Sequence, residues 1–181
     1  MKTGVLCAVL LCWPLIAASA NSRDPSCLVG QPAADFTLST ADGQAFTLSD
    51  DPGEHQALLI LFWGVWCPFC REIMVRLTEQ ASDLSERGLA IVAISLRESR
   101  AKVSLFVDQL RPGFPVLVDE WASLKESYLI HDVPMALVLD REHIIRAAVI
   151  TTSVDKVHTL IEQALASEAS ALSVMGPPLP P

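Results

Sequence analysis

Apolar positions along this chain change period several times, and the order of those changes predicts its architecture. "ALLILFW" (57–63) is apolar throughout, which marks a strand covered on both faces. From Pro68 to about Glu86 the period becomes helical, with Ile73, Leu77, Ala81 and Leu84 on one face and Gly88 closing the stretch. "LAIVAIS" (89–95) predicts a second buried strand and "SRAKVSLFVDQL" (99–110) a helix. "FPVLVD" (114–119) predicts a short strand, followed by a short helix near 121–128. "VPMALVLD" (133–140) and "IIRAAVI" (144–150) predict two strands joined at Arg141-Glu142, and "SVDKVHTLIEQALA" (153–166) a last helix capped by Ser153. Upstream, "ADFTLSTADGQAFTLSD" alternates as two short strands about a turn at Asp42-Gly43.

Strands alternating with helices imply an α/β layered domain, and hairpins at either end make its sheet mixed. The 181 residues suit one domain, assigned to 21–167. The first twenty, "MKTGVLCAVLLCWPLIAASA", have a basic start at Lys2, an apolar run over 5–18 and a small-x-small site at Ala18-Ser19-Ala20. That pattern predicts a secretory signal peptide (1–20) and an exported, periplasmic-type location. Pro14 interrupts the run, which falls short of the ~20 residues a bilayer span needs, so the cleaved protein is not expected to be integral to a membrane. The tail 168–181 ends in a proline cluster and is expected to be disordered.

Cleavage would leave 12 basic against 21 acidic side chains, a net charge of −9. That sign argues against nucleic acid or anionic lipid as the main partner. Cleavage would also leave three cysteines, Cys27, Cys67 and Cys70, so the close pair is the natural couple and Cys27 is left over.

A helix starting at Pro68 places Cys67 at its cap and Cys70 one turn further in. Unpaired N–H groups and the helix dipole favour negative charge there, so Cys67 is the candidate nucleophile. Cys70, better shielded, is placed to displace it from a mixed disulfide. Pro68-Phe69 supplies no charged group between them, whereas Phe69, Trp66 and Trp63 offer an apolar platform for a polypeptide, Trp63 fitting the core equally well. Other readings stay open. A structural bridge over two residues would constrain little of the unfolded chain. Half a zinc site lacks a second cysteine pair. A copper chaperone using Cys67, Cys70 and His131 is compatible with soft thiolates, and a non-catalytic module with locked cysteines is a third class. His55, His143 and His158 sit in loop, turn and helix contexts that suggest solvated side chains.

"FWGVWCPFCRE" after an apolar strand, with "VP" 67 residues past Cys67, resembles the thioredoxin fold. "QPAADFTLSTADGQAFTLSD" and "FPVLVDEWASLKESYLIHDVPMALVLDREHII" are similar to the TlpA/ResA/CcmG (DsbE)-like exported thiol:disulfide oxidoreductases, over about residues 28–165. The resemblance implies a thioredoxin-like mixed central sheet flanked by helices, with an N-terminal β-hairpin and an inserted β-α unit. It implies a cis-proline at Pro134 facing the thiols, and Val133 offering backbone hydrogen bonds to an extended substrate. It implies protein disulfides or dithiols as substrates, a membrane thiol-transfer electron donor as partner, and no cofactor. It favours a reductase, for example in cytochrome c maturation; the Pro-Phe dipeptide leaves a dithiol oxidase open. The sequence departs from the pattern at Leu61 and Ile73, where relatives carry acids that assist proton transfer, and at Asp132, where they usually carry glycine after a residue that here is His131.

Overall fold

The computed structural model of the chain describes residues 24–174, with side chains through residue 166. The expected signal peptide and the last seven residues lie outside the described ones. Seven strands form one sheet: β1 Thr37–Thr40, β2 Ala45–Thr47, β3 Ala57–Trp63, β4 Leu89–Leu96, β5 Val116–Asp119, β6 Met135–Leu139 and β7 Ile145–Ile150. Three α-helices accompany them: α1 Pro68–Glu86, α2 Arg100–Leu110 and α3 Val154–Val174. The strand order is β2-β1-β5-β4-β3-β6-β7. β3, β4 and β5 run parallel, while β6, β7 and the β1–β2 hairpin run antiparallel to their neighbours.

β3 lies inside the sheet between β4 and β6, and every one of its residues is at most 1 % exposed, as its all-apolar composition requires of a strand covered on both faces. Its odd-numbered residues pack with Ile73, Met74 and Leu77 of α1, Val103 of α2 and Val157 and Ile161 of α3. Its even-numbered residues pack with Phe36, Leu48, Leu124, Tyr128 and Ile130. Side chains of all three helices thus join one apolar cluster, and the cluster on the other face is closed by turns and short 3-10 segments. Each large aliphatic side chain so buried stabilises the fold by about 1.5–3 kcal/mol relative to exposure. No helix among the described residues is long and apolar enough to cross a membrane.

Two expectations are corrected. Residues 121–128 form consecutive turns, not a helix: the Asp119 carboxylate accepts the Ser123 and Leu124 amides and starts a helical turn, but Leu129 at φ 51° stops it. The last helix runs on to Val174, into the segment expected as tail, because Ala, Ser, Leu and Glu continue without glycine or proline until Gly176.

Candidate active site

β3 ends at Trp63, and a tight turn carries the chain into α1, with the Cys67 amide donating to the Gly64 carbonyl at 3.0 Å. Cys67 is the N-cap of α1, extended at φ −92° and ψ 111°, and Pro68 occupies the first turn, where its missing N–H costs no helical bond. The Cys67 sulfur takes the place of a capping oxygen: the Cys70 amide donates to Sγ at 3.2 Å. The two cysteines are joined as a disulfide, with Cα atoms 5.2 Å apart. Cys67 keeps 4 % exposure and Cys70 none, so the outer sulfur is the one an incoming group can reach.

The second wall comes from the chain before β6. β6 pairs antiparallel with β3 in the register Phe62 opposite Met135, which brings Val133 and Pro134 alongside the turn after β3. The Val133-Pro134 peptide bond is cis, as the resemblance implied, and Pro134 is buried. The Val133 carbonyl oxygen lies 3.8 Å from Cys67 Sγ. The Val133 amide, however, already donates to Asp132 Oδ1 at 2.8 Å, so the donor expected to meet an extended substrate has an internal acceptor.

The aromatic residues divide. Trp63 is fully buried and packs on Phe106, ring centroids 5.0 Å apart, so it belongs to the core. Trp66 and Phe69 are 59 % and 50 % exposed and flank the thiols. Trp66 lies over Gly64, where an added Cβ would come within 2.6 Å of the indole nitrogen. Leu61 and Ile73, which stand where relatives carry acids, are buried, and the neighbouring Glu72 is exposed. Cys27 is free and exposed, outside this arrangement.

His55 and His143 depart from the solvated setting expected of them. Their Nε2 atoms converge on Asp51 Oδ2 at 3.3 and 3.2 Å, and burial of His55 holds its pKa below the ordinary imidazole value, Asp51 acting against the shift. Sequence spacing gives no hint of this, since His143 arrives from the β6–β7 turn. Among the described residues, no group of three or more His, Cys, Asp or Glu side chains is placed to hold a metal ion. Sequence reasoning also missed a cavity of about 140 Å³ beside Trp66, lined in part by Arg97, Lys125, His131, Asp132 and Val133. These positions carry no common motif.

The AhpC/TSA family model matches residues 29–148. The chain is 27% identical over 114 residues to the thiol-disulfide oxidoreductase ResA of Halalkalibacterium halodurans, a match covering 63% of each protein. To the thioredoxin-like protein YneN of Bacillus subtilis it is 31% identical over 120 residues, covering 65% of this chain and 68% of the relative. Among solved structures, a putative thiol:disulfide interchange protein DsbE from Chlorobium tepidum superposes with a TM-score of 0.67 at 22% identity, over 76% of this chain and 97% of that one. A cysteine pair capping the helix after a central strand, opposite a cis-proline, is thus found in a thioredoxin-like sheet, and the chain belongs to the AhpC/TSA family, alongside its ResA-like thioredoxin relatives.

Proposed function

We propose that this chain is an exported thiol:disulfide oxidoreductase that exchanges the Cys67–Cys70 couple with protein substrates and runs as a reductase. The observation that carries the reading is the outer sulfur, Cys67 Sγ, set at the N-terminus of α1 and facing the cis Val133-Pro134 loop. When reduced, Cys67 is stabilised as a thiolate by the Cys70 amide and the helix dipole. It attacks one sulfur of a substrate disulfide; a mixed disulfide forms and the other substrate sulfur leaves as a thiolate. The Cys70 thiolate then attacks Cys67 Sγ, closing the intramolecular disulfide and releasing the second substrate thiolate. Two electrons pass to the substrate, and protons from water complete its two thiols.

Continued turnover requires a dithiol donor, and an exported reductase draws those electrons from a membrane thiol-transfer protein. Preparing cytochrome c cysteines for haem attachment is one task of this kind. Trp66, Phe69, Pro68 and the Val133 backbone are the substrate-binding surface, and Pro134 shapes it. Because the apolar Leu61 and Ile73 stand where relatives carry acids, the Cys70 proton goes to solvent or to substrate.

The reduction potential of the couple tests the direction. A value near the roughly −270 mV of thioredoxin supports a reductase, and one near the roughly −120 mV of a strong oxidant replaces it with a dithiol oxidase.

A further inference from the structure

We propose that the cavity beside Cys67 is a subsite for a carboxylate side chain of the polypeptide substrate, so that the protein selects disulfides flanked by Asp or Glu. This rests on the oxidoreductase reading and names its substrate class. The cavity begins one residue from the reacting sulfur: Val133, whose carbonyl lies 3.8 Å from Cys67 Sγ, forms one wall and Trp66 another. Its basic lining comes from three separate segments, Arg97 at the end of β4, Lys125 in the turns after β5, and His131 before the cis-proline. At about 140 Å³ the cavity is of side-chain size, below the roughly 300 Å³ at which pockets for drug-sized ligands begin.

A basic cluster is unexpected in a chain with 13 basic against 21 acidic residues. Among the described residues, neither Arg97 nor Lys125 takes part in an ion pair. The one carboxylate in the lining, Asp132, is engaged by the Val133 amide. That neutral donor leaves Asp132 its charge, so Arg97 and Lys125 outnumber it by two to one, and a substrate carboxylate meets a net positive recess with an indole wall, where it gains more than it would in open water. The acidic remainder of the surface repels such a substrate elsewhere and steers it to this point.

The test uses disulfide peptides identical except for Asp, Asn or Lys at positions flanking the cysteine, turned over at low salt by the protein without residues 1–20, with a small-molecule dithiol as the reductant. The expected result is a kcat/KM roughly five- to tenfold higher for the best Asp peptide than for its Asn counterpart, the size of one or two part-exposed ion pairs. The ratio falls towards one with added salt and in Arg97→Gln/Lys125→Gln, whereas Arg76→Gln, a cation removed from α1 away from the cavity, leaves it in place. Equal turnover of the Asp and Asn peptides, or a preference that persists in the double variant, overturns the proposal. Glutathione disulfide turned over better than every acidic peptide overturns the polypeptide assignment. Turnover of no disulfide at all removes the oxidoreductase reading and this one with it, whereas turnover without preference removes only this one.

Discussion

The segment 64–70 and the segment 131–134 both reach Cys67, but different forces put them there. The first is local: a buried strand runs out, Gly64 admits the Trp66 ring, and a proline in the first turn fixes the start of the helix that Cys67 caps. The second is positioned from a distance, by the antiparallel register of β6 on β3, and its Val133 amide is held meanwhile by Asp132. Local chemistry thus sets the nucleophile, and sheet pairing sets the surface on which a substrate is laid against it.

The largest effects come from breaking the first segment. Cys67→Ser is expected to abolish disulfide turnover, while Cys70→Ser still attacks and accumulates a mixed disulfide, visible as a mass adduct of the substrate. An adduct from Cys67→Ser and none from Cys70→Ser would reverse their roles, and equal adducts would remove the distinction between them. The strand that supports this segment is next: Leu61→Ala, at a fully buried position, is expected to lower unfolding free energy by about 2–5 kcal/mol in denaturant titration. Trp66→Ala separates binding from folding. With the ring 59 % exposed, stability should move by less than about 0.5 kcal/mol while KM for peptide disulfides rises several-fold at nearly constant kcat. A fall in kcat alone would mean that Trp66 acts on the thiols and not on the substrate.

The second segment predicts a smaller change of opposite sign. Asp132→Ala frees the Val133 amide and should lower KM for extended peptides by about two- to threefold, the worth of one part-exposed hydrogen bond. An increase would show that Asp132 contacts substrate directly. The smallest effect lies outside both segments. Burial lowers the pKa of His55, so the unfolded chain binds its proton more readily. Its stabilising contribution is present above the unfolded value of about 6.5 and is lost as pH falls through the lower folded value. Replacing His55 by Gln should flatten that part of the stability curve in denaturant titrations between about pH 7 and 5.

Where structure followed from nearest neighbours in sequence, the chain could be read directly. The bounds expected for β3 and α1 are those observed, because an all-apolar run and a proline-led amphipathic stretch each carry their own stop signals. The turns at 121–128 escaped because Asp119, on the preceding strand, competes for their amides, and the left-handed backbone at Leu129 is not encoded by a glycine. Pro134 was legible only through family resemblance, since a proline opening a strand carries no mark of the geometry of its peptide bond.

By itself the sequence determined the layered α/β order, the buried central strand and the placing of two cysteines at a helix start, because periodicity and capping act within a few residues. Only the tertiary structure decided that the Val133 carbonyl faces Cys67, that Asp132 holds the adjacent amide, and that Arg97, Lys125 and His131 line one recess. Those groups belong to different strands and loops, and it is the pairing of β4, β5 and β6 with their neighbours in one sheet that brings them to the same end of it.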